Sequence, residues 1–390
     1  MLTPRTIEFV IKITKYCNLR CSYCYEFLDL GKKTRISLDA FERMFRNIAE
    51  NARLAKLDTI EFVWHGGEPF LIPLDYYRAI HALQREIFAD KLTISNMAQT
   101  NLTILTDRHI EFLKSKTFFS SIGVSFDVYG DQRVDIRGRP SHQAVLANMQ
   151  TLIDNEIEFG VIVVLARNTL PHVRHIVRFF DELAIGMRFL PFYLNANEQN
   201  TAEQQISNHA LTYRELIDAF KQIFDGWLAS KNAMPIEPID SYINFAISHL
   251  SGLSDWTYLK SEIESVFVVN VDGSVWGAGE SYVSGKSYGN LFKDGFADIL
   301  NSSGRRMAVD EAQSRIAHFC GGCPYHGACP GHYVGDASPQ QQHMLVEWGC
   351  PVRELISYMI EKFEKTGLAH VISERAGHKR EDRKTRLVSL

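Results

Sequence analysis

Residues 7–24 read IEFVIKITKYCNLRCSYC, a strand pattern that runs directly into three closely spaced cysteines. Apolar residues occupy every second position from 7 to 13, which predicts a half-buried β-strand. Cys17, Cys21 and Cys24 follow at once, and three thiolates in one short loop can converge on iron–sulfur or zinc. A structural zinc site normally takes four closed ligands, and no nearby Cys or His completes this set. The spacing therefore favours a four-iron cluster with one iron left open.

Strand-like and helix-like patterns alternate from this loop through the first half of the chain. Apolar runs typical of strands follow at residues 59–64, 92–98, 119–127, 159–165 and 187–193. Amphipathic patterns typical of helices lie at residues 37–56, 75–89, 107–116, 141–156 and 171–184. Six strands alternating with helices predict an α/β fold of parallel βα units with right-handed crossovers. A doubly wound sheet and a partial (β/α) barrel both fit this alternation.

The second half of the chain has a different pattern. Residues 201–258 look helical and mixed in polarity, which favours a connection packed against the first unit. Asp272-Gly273 is a strong hairpin signal, and a stretch rich in glycine and cysteine follows it. Because 390 residues exceed the usual size of one compact core, we expect a large and a small domain. The predicted division is a first domain at 1–235, a connecting segment at 236–262, a small domain at 263–366 and a charged tail at 367–390.

Composition and charge exclude several classes of partner. The net charge is −4 with both signs interspersed, so the chain has no overall field suited to nucleic acid. The N-terminus lacks a signal-peptide pattern, and the longest apolar run, residues 161–166, is too short to span a bilayer. We therefore expect a cytoplasmic protein without nucleic-acid or membrane partners. Thiols stay reduced in the cytoplasm. The seven cysteines are grouped near the two ends of the sequence, which favours metal ligands over disulfides.

The stretch Gly66-Gly67-Glu68-Pro69 follows the second predicted strand, and His65 before it is a candidate to face the same site. The two glycines expose backbone groups that a ligand can approach closely, although alone the motif is an ordinary turn. Together with the Cys-x3-Cys-x2-Cys loop it resembles the radical S-adenosylmethionine (SAM) superfamily. The resemblance implies a partial (β/α)6 TIM-type barrel, a [4Fe-4S] cluster on the three cysteines of the loop, and SAM bound by Gly66, Gly67 and Glu68.

The same resemblance implies further contacts to SAM. Gln99 lies in a Gln-Thr-Asn segment at the end of a predicted strand, and Ser125 and Asp127 match a Ser-x-Asp motif that meets the ribose. Arg133 is the candidate partner of the SAM carboxylate, and Tyr23 could stack near the adenine. Each residue also has a plain alternative. Asp127 could cap a helix, Arg133 could form an exposed ion pair, and Tyr23 could pack in the core.

A second group of cysteines lies in the predicted small domain, at Cys320, Cys323, Cys329 and Cys350. Four thiolates satisfy a closed site, and by local spacing alone a zinc ribbon would be favoured. In this context the group resembles the SPASM/Twitch domain, which implies one auxiliary [4Fe-4S] cluster held by these four residues. Ala278 stands where that domain usually has another cysteine, so we expect the inner auxiliary cluster to be absent.

The resemblance also narrows the function. It implies a radical SAM oxidoreductase that matures a ribosomally made precursor peptide, with a flavodoxin- or ferredoxin-type electron donor. The segments around Cys329 and Cys350 resemble maturases that join an aromatic ring to an aliphatic carbon as a cyclophane. Thioether formation, epimerisation and sulfatase maturation remain alternatives, as does a non-catalytic iron–sulfur scaffold or electron carrier. Gly279 stands where the sulfatase-maturase pattern has an aspartate base, and Glu280 is the predicted proton acceptor here.

Overall fold

The computed structural model describes residues 5–52, 57–89, 92–192, 209–232, 234–254 and 256–369. The strands are β1 (Arg5–Thr14), β2 (Leu57–Gly66), β3 (Thr93–Thr100), β4 (Ser121–Ser125), β5 (Gly160–Leu165), β6 (Met187–Pro191), β7 (Ile236–Glu237), β8 (Val266–Val269), β9 (Ser274–Gly277) and β10 (Gly289–Asn290). All of them belong to one sheet, in the order β10-β9-β8-β1-β2-β3-β4-β5-β6-β7.

Helices connect these strands and follow the last of them. They are α1 (Leu38–Asn51), α2 (Leu74–Phe88), α3 (Asp107–Lys114), α4 (His142–Asp154), α5 (Val173–Glu182), α6 (Tyr213–Leu228), α7 (Ile239–Leu250), α8 (Lys260–Ile263), α9 (Phe296–Leu300), α10 (Ser303–Cys320), α11 (His332–Gly335), α12 (Pro339–Trp348) and α13 (Pro351–Lys365). The predicted alternation of strands and helices is confirmed. No helix in the described part of the chain is long and apolar enough to cross a membrane.

The strand order distinguishes between the two architectures that the sequence left open. Strands β1 to β7 are parallel and lie in sequence order across the sheet. A doubly wound sheet reverses its strand order at a switch point, whereas a barrel-type sheet progresses in one direction. The first part of the chain is therefore a partial barrel, as the resemblance implied.

Alternation along the first two strands separates an outer face from an inner face. On β1 the residues at 7, 9, 11 and 13 are fully buried, and on β2 the same holds for Ile60, Phe62 and Trp64. Aromatic residues of α1 pack on this outer face, with the Phe45 and Phe62 rings 5.4 Å apart. The intervening residues of β1 and β2 therefore point to the barrel interior.

The C-terminal part is joined to the barrel through the sheet itself. Strand β8 pairs in parallel with β1, and β9 and β10 continue the sheet as an antiparallel extension. The Phe9 ring lies 5.9 Å from Phe267 and 5.3 Å from Phe296, so both parts share one apolar core. The division at residues 235 and 262 stays a prediction, and most of the predicted charged tail lies outside the described residues.

Candidate active site

The three cysteines of the first loop lie between β1 and α1, close to the carboxyl end of the sheet. Cys17 Sγ accepts hydrogen bonds from the Leu19 backbone N–H at 3.4 Å and from Asn101 Nδ2 at 3.7 Å. Burial raises the pKa of Cys24 to about 12, and the neighbouring charges of Cys21 and Cys17 add to this rise. The thiols therefore need a cationic centre to ionise together, and the donors around Cys17 suit a cluster-bound sulfur.

The spacing of the side chains tests whether one ion or a cluster fits better. Four sulfurs around a single zinc lie about 3.8 Å from one another, as Zn–S bonds of about 2.3 Å in a tetrahedron require. In the described residues, no three His, Cys, Asp or Glu side chains come together closely enough to hold a single metal ion. Cys17, Cys21 and Cys24 share one buried apolar cluster with Leu19 and Leu30, so their thiols can serve one larger iron–sulfur cluster.

The glycines after β2 have a packing role that the sequence did not predict. A Cβ at Gly66 would lie 2.3 Å from the Thr14 carbonyl oxygen, and one at Gly67 only 2.1 Å from that of Tyr16. The Gly67 N–H donates to the Thr14 carbonyl at 2.8 Å. The glycines thus let the end of β2 contact the backbone that enters the cysteine loop. Their carbonyl groups, rather than both N–H groups, are what they can offer to a ligand.

Glu68 is fully enclosed rather than open to a ligand. Its Oε1 accepts hydrogen bonds from the Phe70 N–H and the Thr100 hydroxyl, and its Oε2 accepts from the Asn101 N–H at 2.7 Å. Burial raises the pKa of this carboxyl group, while these three donors lower it. Glu68 therefore ties the ends of β2 and β3 together. Its role in binding SAM stays a prediction.

Asp127 is the centre of the remaining predicted SAM contacts. Its Oδ2 accepts from the Tyr23 hydroxyl at 2.6 Å and from Arg133 Nε at 3.0 Å, and its Oδ1 accepts from the Val164 N–H at 2.9 Å. Within the described ranges, no acceptor takes the two terminal nitrogens of Arg133. The structure thus brings Tyr23, Asp127 and Arg133 together, and neither Asp127 as a helix cap nor Arg133 as an exposed ion pair is observed.

Gln99 and Ser125 form a second predicted pair at the ends of β3 and β4. Gln99 Nε2 donates to Ser125 Oγ at 2.8 Å, so the two side chains orient each other. A Cβ at Gly123, the register partner of Gln99 on β4, would clash with the Gln99 side chain at 2.1 Å. The local packing therefore holds Gln99 along β4 beside Ser125.

His209 belongs to this region, although no motif in the sequence predicts it. Its Nε2 lies 2.9 Å from Ser22 Oγ, and its ring meets the Tyr23 ring edge-on at 6.0 Å. Tyr23, Ala166 and Phe192 form a buried apolar cluster next to it. His209 lies in the segment predicted as a connection, where no strand or motif signal marks it, so only the folded chain reveals its position.

The second group of cysteines surrounds one cavity. Cys320, Cys323, Cys329 and Cys350 all line it, together with apolar side chains that include Val334 and Ile356. Burial raises the pKa of Cys329 to about 12. Burial also raises the pKa of Cys350, although backbone N–H groups of the first turn of α13 oppose this rise. Four thiols that line one cavity fit a four-ligand iron–sulfur cluster site.

Glu280 lies in a buried ionic cluster, which we define as Lys260, Glu264, Glu280, Arg305 and Asp336. Lys260 Nζ contacts Glu264 Oε1 at 2.9 Å, Glu280 Oε2 at 3.1 Å and Asp336 Oδ1 at 2.6 Å. Arg305 Nε contacts Glu264 Oε2 at 2.8 Å. Only 2% of Glu280 is exposed, and none of its contacts is with the predicted SAM-binding residues. Its role as proton acceptor stays a prediction.

Substitutions at Asp127 and Arg133 provide a direct test of the SAM pocket. We expect Arg133→Ala and Asp127→Ala to weaken SAM binding roughly 30- to 150-fold, because a charge-assisted contact in a dry site contributes ~2–3 kcal/mol. The iron content should not change. Equilibrium binding of SAM to reconstituted protein measures the effect, with Arg137→Ala, on an exposed side chain nearby, as the matched control. Unchanged affinity in both variants would refute this position of the pocket.

Comparison with known proteins agrees with this geometry. Residues 11–180 match the model of the radical SAM superfamily. A cysteine-type anaerobic sulfatase-maturating enzyme of Clostridium perfringens (strain 13 / Type A) is 26% identical over 328 residues, which cover 81% of this chain and 85% of that protein. A serine-type anaerobic sulfatase-maturating enzyme of Klebsiella aerogenes is 33% identical over 181 residues, 45% of this chain and 43% of that protein.

Two solved structures have a similar fold. Native anSMEcpe with bound AdoMet aligns with a TM-score of 0.71 at 20% identity, covering 95% of this chain and 99% of that one. Streptococcus suis SuiB bound to S-adenosylmethionine aligns with a TM-score of 0.58 at 13% identity, covering 89% and 76%. The family match, the partial barrel and the cysteine loop agree with one another. This chain therefore carries a radical SAM domain over residues 11–180, with a four-iron cluster and SAM as its cofactors.

Proposed function

We propose that the protein matures a ribosomally made peptide by joining an aromatic side chain to an aliphatic side-chain carbon. Relatives that cover four-fifths of the chain are named as sulfatase-maturating enzymes, which supports a peptide or protein substrate. The glycine at position 279 favours cross-linking over sulfatase-type maturation. A Cβ there would lie 2.3 Å from the Asp336 carbonyl oxygen, so this position has no room for the aspartate of the sulfatase-maturase pattern.

In this proposal the first loop and the inner ends of the strands hold the cofactors. Cys17, Cys21 and Cys24 ligate the cluster, and together the cluster and SAM supply a carbon-centred radical that removes hydrogen from an unactivated carbon. Asp127 fixes the Tyr23 hydroxyl and the Arg133 guanidinium, whose terminal nitrogens are free to meet a carboxylate. The Gly66 and Gly67 carbonyls would accept from the SAM amino group, and Ser125, oriented by Gln99, would hold the ribose.

The second group of cysteines is proposed to hold an auxiliary four-iron cluster. Forming the cross-link removes one hydrogen atom from the aliphatic carbon, and the aromatic carbon then loses a proton and an electron. The cavity lined by the four cysteines provides a place for a cluster that accepts or relays this electron. A flavodoxin- or ferredoxin-type protein is the proposed donor for the first cluster.

Sulfatase-type maturation is the second candidate, because several curated relatives carry that name. It would oxidise one serine or cysteine side chain instead of joining two residues. The two reactions therefore differ in where the mass change lies. A mass change confined to a single residue favours maturation of this kind, and a bond between two residues favours the cross-link.

Tandem mass spectrometry can test the proposed reaction. The peptide encoded beside this gene is co-expressed with the enzyme, and a sulfatase-derived peptide serves as the alternative substrate. We expect the encoded peptide to lose two hydrogen atoms and to resist fragmentation between the joined residues.

Glu280→Gln should still form 5′-deoxyadenosine and keep both clusters but stall the cross-link. Cross-linking by Glu280→Gln at the wild-type rate would exclude Glu280 as the base, and modification of the sulfatase peptide alone would refute the cross-linking reaction.

A further inference from the structure

The inner face of β1 and β2 carries a buried lysine that the cofactors described above do not use. Lys12 lies directly opposite His65 in the register of these two parallel strands. Their neighbours in sequence, Ile11 and Trp64, point outward into the core, so Lys12 and His65 point to the barrel interior. Lys12 is only 3% exposed, whereas His65 is half-buried. The pair therefore lies inside the barrel, and His65 is its more exposed member.

Lys12 has no acidic partner among the residues that the structure describes. Its Nζ contacts the Tyr25 hydroxyl and lies 3.3 Å from His65 Nδ1, and both of these groups are neutral. The nearby charge of Lys15 is already matched, because Lys15 pairs with Glu26. Burial lowers the pKa of Lys12 to about 8, while the more distant Glu26 and Cys24 raise it and Lys15 lowers it further. A buried ammonium without a carboxylate in contact is unfavourable, and a bound anion would relieve it.

His65 adds a second donor beside Lys12. Its Nδ1 accepts from the Gly66 N–H at 2.6 Å and also faces the Lys12 ammonium, so this nitrogen carries no proton. Burial, together with the Lys12 charge, holds the pKa of His65 well below its usual value, and the ring is neutral. The proton of the neutral ring is therefore on Nε2. An ammonium and an imidazole N–H side by side match the two oxygens of a carboxylate.

A residue of the C-terminal part also lies beside the side chains that surround Lys12. The Tyr282 hydroxyl donates to Glu26 Oε1 at 2.8 Å, and its ring lies 6.2 Å from that of Tyr25. The group around Lys12 is thus enclosed by the loop after the cysteines on one side and by the loop after β9 on the other. A substrate held between the first cluster and the C-terminal part has to pass these side chains.

We propose that Lys12 and His65 bind a carboxylate of the peptide substrate, so that the enzyme selects peptides with an Asp or Glu side chain near the modified carbon. The inference rests on the proposed function, because it takes the substrate to be a peptide. The carboxylate of SAM is the other possible source of this chemistry. In the pocket described above, Arg133 is the proposed partner of the SAM carboxylate. The experiment below distinguishes a carboxylate of SAM from a carboxylate of the peptide.

A peptide library can reveal this selectivity. Reconstituted full-length enzyme with SAM is incubated with a randomised heptapeptide library. The peptides that stay bound to the enzyme are then sequenced by mass spectrometry. We expect Asp and Glu to be enriched about tenfold over Asn and Gln, as one charge-assisted contact allows. Lys12→Met should abolish the enrichment, Lys12→Arg should keep part of it, and Lys231→Met, on an exposed lysine, should keep all of it. SAM affinity should stay unchanged in every variant.

Several results would overturn the proposal. Retained peptides without acidic enrichment, or enrichment that survives Lys12→Met, would show that Lys12 does not select a carboxylate. A loss of SAM affinity in Lys12→Met would assign the carboxylate to SAM instead. If Lys12→Met fails to fold, His65→Phe removes the second donor and should still reduce the enrichment. A wild-type enzyme that cleaves SAM but retains no peptide would refute the proposed function itself, and this inference with it.

Discussion

Replacing Cys17, Cys21 and Cys24 together with alanine will abolish SAM cleavage and remove about half of the protein's iron. Two four-iron clusters correspond to about eight iron atoms per chain, and these three thiols are the proposed protein ligands of the first. Without them no open iron remains to bind SAM, so the loss of cleavage is complete rather than partial. Iron analysis after anaerobic reconstitution and chromatographic detection of 5′-deoxyadenosine measure the two effects.

The matched control removes the second site instead. Replacing Cys320 and Cys323 with alanine should remove the other half of the iron, while reduced protein still cleaves SAM. Stoichiometric zinc in the wild-type protein, with only about four iron atoms, would contradict an auxiliary iron–sulfur cluster and support the zinc ribbon. Full iron content in the triple variant would contradict the first site.

Lys260→Met will cost about 3–5 kcal/mol of unfolding free energy, a large effect for a single lysine. The Lys260 side chain is fully buried and contacts three carboxylates, those of Glu264, Glu280 and Asp336. Removing it leaves those carboxylates with Arg305 as their remaining cation in the buried ionic cluster. Urea unfolding followed by circular dichroism measures the change against the wild type.

Two further variants test the cause of this loss. Lys293→Met replaces an exposed lysine and should change stability by less than about 0.5 kcal/mol. Adding Glu280→Gln to Lys260→Met removes one of the unmatched charges and should recover part of the stability. If Lys260→Met and Lys293→Met unfold at the same urea concentration, the ionic cluster contributes little to folding.

The sequence predicted the strands and helices of the fold well because they follow local patterns. Alternation at residues 7–13 predicted β1, and the spacing of the cysteine loop led to the radical SAM domain. The choice between a barrel and a doubly wound sheet depended on strand order, which local periodicity does not contain. Asp127 was predicted from its match to the Ser-x-Asp motif, but its simultaneous contacts with Tyr23, Arg133 and Val164 depend on the fold.

Buried charged residues were the main features that the sequence could not predict. Lys12 occurs in a strand pattern that would suit an exposed lysine equally well, and its burial depends on closure of the barrel around it. Lys260 and Asp336 are 76 residues apart in sequence, so no local motif links them. The contacts of Glu68 were not predicted for a related reason, because the donors that enclose it come from the neighbouring strand β3 and the loop after it.

The pairing of β8 with β1 also has a consequence for solubility. Residues 266–269 cover residues 8–11 of β1, which would otherwise form the edge of a long, apolar parallel sheet. Exposed edges of this kind pair with other chains and lead to aggregation. The C-terminal part therefore serves as edge protection for the radical SAM domain, in addition to any electron-transfer role. A fragment that ends before β8 would expose this edge, so the catalytic domain has to be produced and handled together with its C-terminal extension.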